Sequence, residues 1–296
     1  MKIKLTLTAL LFTMFISCKK HTDEISVIQP PIKFSKIESF FTPYKNGQPI
    51  TSETFIFSNK TFDENGNLTS SLHRFLRYSD FDLRTNTLIR TTYKYDNGRL
   101  IEKDALELNS QLFDIDNKFT YSYTNNGDTA EINRYDNKTG QLQNRKGYIY
   151  GSNGKKSRII DYRVSDDEYG VAGSEFYSEF YKYDNNKNII ECAVIIPNIP
   201  NAINYTKTYT YNSKNDLLTA SSTYSVTPYF EAKYTYNEKG LITEYIEISY
   251  SGSLKPNSTN RFVNTYQDGL LSKQTLYKKY NTEYYLAGVF EYVYTK

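Results

Sequence analysis

Residues 209–219 read YTYNSKNDLLT, and residues 234–244 read YTYNEKGLITE. In both stretches an aromatic residue is followed by Asn, two polar residues, Asn or Gly, one further residue, and Leu or Ile. Asn favours the first position of a type I turn, because its side chain bonds the backbone two residues further on. The Asn or Gly three positions later suits the left-handed residue of a three-residue hairpin loop. Each stretch therefore predicts a β-hairpin.

The same turn pattern recurs along the chain. Its further copies are FDENGNL at 62–68, YTNNGDT at 123–129, YGSNGKK at 150–156 and YDNNKNI at 183–189, with the shorter YDNGRL at 95–100 and the longer YDNKTGQL at 135–142. Asn-Gly in the shorter copy is the signal of a type I′ turn. We predict that five glycines define these turns, namely Gly66, Gly98, Gly127, Gly154 and Gly240. Asn215 and Lys187 occupy the same position in their copies, and Lys187 is expected to be strained there.

The repeat also predicts the fold class. Two strands and a second turn fit between successive copies, and these second turns are irregular in sequence, at 79–86, 166–173, 197–202 and 251–259. The sequence therefore predicts an all-β fold, a long antiparallel meander of about seventeen strands built from repeated hairpins, in a coiled or partly closed sheet. A sandwich or barrel, a transmembrane barrel and a largely single-layered sheet are all compatible with this pattern.

The strand predicted at 242–250 bears on the transmembrane alternative. Ile242, Ile246 and Ile248 fall on one face of this strand, which we interpret as the apolar face, and Tyr245 with Glu247 falls on the polar one. Glu244 interrupts the apolar face. Because charge in a lipid-facing wall is unfavourable, this interruption disfavours a transmembrane barrel.

Tyr95 and Asp96 begin the copy YDNGRL, which resembles the YD repeat of Rhs and related bacterial wall-associated and toxin-shell proteins. The resemblance covers residues 55–280 in degenerate form. It implies hairpin ribbons that spiral into sheets or shells. The chain also resembles the repeat-bearing lipoproteins of the Bacteroidota. Neither resemblance assigns a catalytic residue to this chain.

The N-terminal residues predict export and lipid attachment. A positively charged start precedes an apolar run from Leu5 to Ile16, which is too short to span a bilayer as a mature helix. Ser17 and Cys18 follow this run and resemble the lipobox of bacterial lipoproteins. The resemblance implies a signal peptide over residues 1–17 and acylation of Cys18, with palmitate among the acyl groups.

The remaining chain divides into a tether and a domain. Residues 18–33, polar and then Pro-rich, are predicted to form the lipidated Cys and a flexible tether, and residues 34–296 the β-hairpin repeat domain. The second cysteine, Cys192, lies in the apolar run IIECAVII. We interpret it as a buried structural thiol.

Few residues suit catalysis or metal binding. His21 lies in the predicted tether, and His73 is expected on a strand surface. The stretch 63–67 resembles a calcium loop only faintly, because the later Glu of such loops is missing. The acidic pair at 166–167 is interpreted as part of a solvated loop. We therefore predict no metal, no cofactor and no catalytic residue.

The composition of the chain favours some classes of function over others. A net charge of +3 without a Lys/Arg cluster disfavours nucleic-acid binding. The 30 Tyr and 17 Phe favour strands, and their rings either cover a thin core or stack on a ligand. We expect a non-enzymatic lipoprotein of the outer membrane that binds a glycan, a peptide or an envelope protein, or serves as a scaffold. A carboxylate-based glycan hydrolase is the alternative, and the ligand site is expected at the irregular turns or on an exposed aromatic face.

Overall fold

The computed structural model describes residues 34–75, 87–108, 115–166, 171–197, 205–224, 227–250, 256–280 and 282–296. The predicted signal peptide, Cys18 and the tether lie outside these ranges. Apart from one 3-10 turn at Thr51–Glu53, the regular structure consists of β-strands. The strands are β1 (Lys36–Lys45), β2 (Gln48–Pro49), β3 (Phe55–Phe62), β4 (Leu68–Phe75), β5 (Thr87–Asp96), β6 (Arg99–Glu107), β7 (Asp116–Tyr123), β8 (Thr129–Asp136), β9 (Leu142–Tyr150), β10 (Lys156–Tyr162), β11 (Glu175–Tyr183), β12 (Ile189–Ile195), β13 (Tyr205–Tyr211), β14 (Leu217–Tyr224), β15 (Thr227–Tyr236), β16 (Ile242–Tyr250), β17 (Pro256–Gln267), β18 (Leu270–Tyr280) and β19 (Glu283–Thr295).

Consecutive strands pair antiparallel, and the first and last strands pair with each other. The β1–β19 pairing runs from Lys36 opposite Thr295 to Pro43 opposite Gly288. Since β1 also pairs with β3, 18 of the strands form a closed barrel, and β2 only extends β1 in a short hairpin. The predicted all-β antiparallel meander is confirmed. The expected number of about seventeen strands was too low, because the described residues form 19, and the sheet is closed rather than coiled or partly closed.

One end of the barrel, which we call the tight-turn end, consists of the turns at 63–67, 97–98, 124–128, 151–155, 184–188, 212–216, 237–241 and 268–269. In the first turn the Asp63 N–H donates to the Asn67 carbonyl at 2.9 Å, and the Gly66 N–H donates to the Asp63 carbonyl at 3.0 Å. The Asp63 carboxylate accepts hydrogen bonds from the N–H groups of Asn65 and Asn67. The acidic side chain therefore stabilises the turn itself.

Left-handed residues occupy the expected positions of these turns. In the longer turns they are Gly66 (φ 87°), Gly127 (88°), Gly154 (72°), Lys187 (66°), Asn215 (64°) and Gly240 (76°), and in the two-residue turns Asn97 (49°), Gly98 (76°), Asp268 (52°) and Gly269 (79°). The turn at 268–269 lies in YQDGLL, a copy of the pattern that the sequence analysis missed. In this copy Gln267 stands where most copies have Asp or Asn after the aromatic residue.

A β-bulge accompanies each of the eight hairpins at the tight-turn end. In the β13–β14 hairpin, Thr210 is opposite Thr219 and Tyr211 is opposite Leu217, so that Leu218 is the extra residue. A bulge bends its strand and increases the local twist. Bulges also occur in hairpins of the opposite end, such as β14–β15 and β16–β17, and repeated bends of this kind favour the closure of a sheet.

Tyrosine hydroxyls tie successive hairpins together at this end. Tyr211 donates to the Ile189 carbonyl at 2.8 Å, and Tyr236 donates to the Leu217 carbonyl at 2.8 Å. The acceptor is the first strand residue after the preceding tight turn, or the second where that turn has two residues, as at Leu100 and Leu271. The same bond is made by Tyr95, Tyr123, Tyr150, Tyr183, Tyr266 and Tyr294. Phe62, in the first copy, has no preceding tight turn to bond, which accounts for the absence of a hydroxyl there.

The opposite end of the barrel carries the longer connections. The copy YDNKTGQL lies here, because the turn 137–141 follows β8, which runs away from the tight-turn end. Grouping it with the tight turns was therefore wrong. Its chemistry is nevertheless similar, since the Asp136 carboxylate accepts hydrogen bonds from the N–H groups of Lys138 and Thr139, both at 2.8 Å. Most of the irregular turns at 79–86, 166–173, 197–202 and 251–259 lies outside the described residues.

The two ends of the domain meet at the tight-turn end. The Ser35 N–H donates to the Thr295 carbonyl at 2.9 Å, and the Phe62 N–H donates to the Ser35 carbonyl at 2.9 Å. The ring of Phe34 lies 5.1 Å from the ring of Tyr294. The chain that precedes Phe34 therefore joins the barrel at this end.

Aromatic packing closes the seam between the first and last strands. Phe41 on β1 is fully buried, with its ring 5.5 Å from that of Phe55 and 4.6 Å from that of Phe290. Gly288 on β19 makes room for this ring, because a Cβ there would lie 2.2 Å from Phe41 Cζ. The seam thus depends on one small residue beside one large one.

Candidate functional site: the barrel interior

The side chains of each strand alternate between two faces with different chemistry. On β13, Lys207 and Tyr209 are buried, whereas Thr208 and Thr210 are exposed. In a closed barrel the inner side chains converge and the outer ones spread apart, so the buried face is the interior. Cross-strand pairing extends this assignment around the barrel and gives an interior rich in Tyr and Phe.

Strand β16 shows which of its two faces lines the interior. Its Tyr245 is opposite Phe262, a buried interior residue, and Glu247 lies on the same face. Ile246 is opposite Arg261, on the outer face. Ile246 and Ile248, on the face interpreted as apolar, therefore lie on the outside of the barrel. A single strand alternates in the same way whichever face is buried, and only its neighbours decide between the two.

The outer face carries cross-strand ion pairs. Arg261 Nη2 lies 2.5 Å from Glu244 Oε2, and Arg145 Nε lies 2.6 Å from Glu131 Oε2. Further pairs are Lys36–Glu38, Lys94–Glu102, Lys118–Glu102, Arg158–Glu175 and Lys182–Glu191. Such exposed pairs add little stability. A base at mid-depth in a lipid-facing wall would, however, cost about 2–4 kcal/mol. The same face also exposes apolar side chains, among them Ile149, Phe180 and Val293.

Charged groups are interspersed among the interior rings. Cross-strand register places there the basic side chains of Lys60, Lys103, Arg134, Lys146, Lys207 and Lys278, and the carboxyl groups of Glu107, Asp161, Glu179 and Glu247. The sequence analysis missed these residues as a set. A signal was present in the alternation Tyr205-x-Lys207-x-Tyr209, since side chains two residues apart in a strand share a face.

A polar network joins the interior charges of β9 to β11. Lys146 Nζ lies 2.9 Å from the Tyr177 hydroxyl and 3.6 Å from Asp161 Oδ2, and Asn144 donates to Asp161 Oδ1 at 2.5 Å. Burial raises the pKa of the Asp161 carboxyl, although the charge of Lys146 opposes the shift. Burial also raises the pKa of Tyr177. Because these groups satisfy one another, the network stabilises the interior rather than presenting a free catalytic group.

Glu179 and Cys192 continue this network toward β12. The Tyr181 hydroxyl donates to the Glu179 carboxylate, and Cys192 Sγ lies 3.9 Å from Glu179 Oε2. Cys192 has no exposed surface, as predicted, and forms no disulfide within the described residues. It packs in a cluster with Tyr177, Val194 and other interior residues.

Glu247 is the interior carboxyl with the largest change in acidity. It lies opposite Ala232 on β15 and Asn260 on β17. Burial raises its pKa to about 7. Burial also raises the pKa of Tyr234 to about 12, and the charge of Glu247 adds to that shift. The Glu247 carboxyl group is therefore partly protonated near neutral pH.

Two basic side chains flank Phe119 on the interior face of β6 to β8. Lys103 is opposite Phe119, and Phe119 is opposite Arg134. Lys103 Nζ lies 4.1 Å from the centroid of the Phe119 ring, and burial lowers the pKa of this lysine. Arg134 Nε is buried and has no hydrogen-bond partner among the described residues. No carboxylate within the described ranges forms an ion pair with Lys103 or Arg134.

His73 lies on the interior face and is half-buried, so its predicted place on a strand surface was wrong. It is opposite Ser58, and its ring lies 4.9 Å from that of Phe57. Burial lowers its pKa, and the charge of Lys60 adds to the shift. In the part of the chain that the structure describes, no three His, Cys, Asp or Glu side chains are grouped as metal ligands. No helix in the same ranges is long and apolar enough to cross a membrane.

No family model matches the chain, and no curated protein matches it. Among solved structures it is similar to a porin-like protein from Bacteroides uniformis, with a TM-score of 0.43 and 15% identity over 90% of this chain and 98% of that chain. A porin-like protein from Bacteroides vulgatus gives a TM-score of 0.30 and 10% identity over 88% and 98%. The Tc holotoxin pore of Photorhabdus luminescens gives a TM-score of 0.28 and 11% identity over 77% of this chain and 16% of that chain.

The expected membership of the YD-repeat family is therefore wrong. The repeat of this chain does not build an open ribbon, because its hairpins close on themselves as an 18-strand barrel. Each of the two porin-like proteins is covered over 98% of its length. At these identities and TM-scores the similarity concerns the arrangement of strands and implies no activity.

Proposed function

We propose that this chain is a non-enzymatic lipoprotein of the bacterial outer membrane, in which acylated Cys18 tethers a barrel that stands in water. The barrel acts as a binding or structural scaffold for a glycan, a peptide or an envelope protein. The single observation that carries the proposal is the outer face, where ion pairs such as Arg261–Glu244 and Arg145–Glu131 stand where a spanning barrel needs apolar side chains. A barrel with such a wall requires another means of membrane attachment, and the lipobox-like Ser17-Cys18 supplies one.

The partners of two interior carboxyl groups favour a scaffold over a catalyst. Glycan hydrolysis of the ordinary kind needs two carboxyl groups that act on one bond. Asp161 is engaged by Lys146 and Asn144, and Glu179 by Tyr181. These partners give both carboxylates a structural role.

Removal of the acylated cysteine tests the attachment. The full-length chain, expressed with its leader in a bacterium with two membranes, is expected in the membrane fraction after an alkaline wash. Cys18→Ala should release it to the soluble fraction, because two or three acyl chains hold a protein firmly and their loss leaves only the water-facing barrel. Cys192→Ala, which removes the other thiol, should leave the distribution unchanged. A Cys18→Ala protein that stays in the washed membranes would mean that the barrel itself is embedded.

A further inference from the structure

The interior basic groups differ in how their charge is balanced. Lys146 has Asp161 as its partner at 3.6 Å. Lys103 and Arg134, by contrast, form no ion pair within the described ranges, and Arg134 Nε is buried without a hydrogen-bond partner there. Burying a charge without a counter-charge is costly. The lowered pKa of Lys103 has the same cause, which is burial. Neither basic group is therefore balanced by an ion pair with a carboxylate of the described residues.

The geometry lets both groups reach one ligand. Lys103 and Arg134 are the cross-strand neighbours of Phe119 on its two sides. Adjacent strands lie about 4.8 Å apart, so the two backbones are separated by roughly 10 Å, and the long side chains can converge above the ring. The guanidinium of Arg binds a carboxylate through two parallel hydrogen bonds, and the ammonium of Lys adds a mobile point charge.

The aromatic rings around Lys103 and Arg134 indicate which class of negatively charged ligand fits between them. Tyr93 is opposite Lys103, and Tyr121 is two residues from Phe119 on the same face. Burial raises the pKa of Tyr121 to about 12, so its hydroxyl stays protonated and donates hydrogen bonds. Aromatic faces with polar edges suit a ligand that has both an apolar and a hydroxylated surface.

We propose that the barrel interior binds an acidic sugar, with its carboxylate held between Lys103 and Arg134 and its ring against Tyr93 or Tyr121. The proposal rests on the proposed function in that it takes a glycan as the partner, but it does not depend on the lipid anchor. It also moves the binding site to the barrel interior from the irregular turns or an exposed aromatic face, the two places expected from the sequence.

Calorimetric titration of the purified full-length protein with trigalacturonate tests the site, and maltotriose is the neutral comparison. Trigalacturonate is expected to bind more tightly than maltotriose. Lys103→Met and Arg134→Gln should each weaken its binding by roughly tenfold or more, the effect of losing one charge-assisted hydrogen bond. Lys118→Gln on the outer face of β7 is the matched control and should change the affinity by less than about twofold. Equal binding of both sugars, or equal losses in all three variants, would overturn the proposal.

A second measurement needs no substitution and so does not depend on the variants folding. Reductive methylation of the wild-type protein, followed by mass spectrometry, reports the accessibility of each lysine. Trigalacturonate should slow the methylation of Lys103 and leave that of Lys118 unchanged, because only Lys103 faces the proposed ligand. Unprotected Lys103 at saturating trigalacturonate would place any bound sugar elsewhere. Either failure leaves the membrane attachment through Cys18 untouched, since that is tested separately by fractionation.

Discussion

Single residues on the interior face have altered proton equilibria, and Glu247 is the clearest case. Its carboxyl lies among Tyr and Phe side chains, and burial raises its pKa from 4.5 to about 7. Lys103 and His73 show the opposite direction for bases, with lowered pKa values that have burial as their first cause. In all three cases the buried environment favours the neutral form.

We predict that Glu247→Gln makes stability less dependent on pH. The folded state holds the Glu247 proton more tightly than the unfolded state, so Glu247 favours folding most below its unfolded pKa of 4.5. That contribution is lost as the pH rises through about 7. Relative to wild type, the variant should gain about 1–3 kcal/mol in unfolding free energy between pH 5 and pH 8. Urea unfolding at both pH values measures this gain.

Glu244→Gln is the matched control for that experiment, because Glu244 lies on the outer face of the same strand. The difference in unfolding free energy between Glu244→Gln and wild type should not increase from pH 5 to pH 8, whereas that of Glu247→Gln should. A Glu247→Gln difference that is the same at both pH values would show that the carboxyl is not protonated in the folded barrel near neutrality.

The tyrosines of the tight turns have a role that their rings alone do not explain. Removing only the hydroxyl in Tyr211→Phe leaves the Ile189 carbonyl without this donor. We predict a loss of about 0.5–1.5 kcal/mol in unfolding free energy, the usual contribution of one hydrogen bond. Tyr284→Phe, at an exposed position, is the control and should change stability by less than about 0.5 kcal/mol. Thermal and urea unfolding of both variants measure the two losses of stability. Equal losses in Tyr211→Phe and Tyr284→Phe would show that the Tyr211 hydroxyl has no particular structural role.

At the scale of the element, the repeated unit is a hairpin with a left-handed loop residue, a bulge and a tyrosine hydroxyl bond. These three features occur together because the turn fixes the register, and the register places the bulge and the tyrosine. The two-residue turn at 97–98 and the longer turn at 212–216 give the same outcome. The hairpin, rather than any single residue, is therefore the unit that the sequence repeats.

Substitutions at the left-handed loop residue should have opposite effects in two hairpins. We predict that Gly240→Val costs about 1–3 kcal/mol, because a β-branched residue at φ 76° is strained. Lys187→Gly should be neutral or stabilising by up to about 1 kcal/mol, because Gly reaches φ 66° without a Cβ penalty. Melting temperatures of the two variants provide the test, and a destabilised Lys187→Gly would show that Lys187 makes a contact that outweighs its strain.

At the scale of the whole molecule, the seam between β1 and β19 decides the architecture. It joins the first and last strands of the domain, and the Ser35 hydroxyl bonds the carbonyl of Thr295, 260 residues away. Closure removes the two free edges that an open meander would expose to aggregation. The seam is packed by Phe41 beside Gly288.

A double-mutant cycle at the seam measures this packing. Gly288→Ala should destabilise the protein by about 1–3 kcal/mol, because the new methyl group overlaps the Phe41 ring and forces it to move. Combined with Phe41→Leu, the same change should cost much less, since the smaller side chain leaves room for the methyl group. Urea unfolding of the two single variants and the double variant gives the coupling. If the losses in unfolding free energy of the two single variants add up in the double variant, the Phe41 ring does not occupy the space beside Gly288.

The sequence by itself determined the local structure of this protein. Turn type, the positions of the left-handed residues and the pairing of Tyr211 with Leu217 follow from residues within seven positions of one another. Such short-range signals are complete within one hairpin, and they repeat often enough to be recognised despite variation. The same signals gave the wrong position for the turn at 137–141. The turn pattern is similar at both ends of the barrel, so it does not indicate at which end a copy lies.

Only the tertiary structure decided closure, the identity of the inner face and the chemistry of the candidate site. Whether Tyr245 or Ile246 faces inward depends on Phe262 and Arg261 of the next strand, and closure depends on a pairing between the two ends of the domain. Lys103 and Arg134 are adjacent across Phe119 only because three strands align in one register. These properties depend on how strands combine, and no short stretch contains them, since burial and charge balance are set by the whole closed sheet.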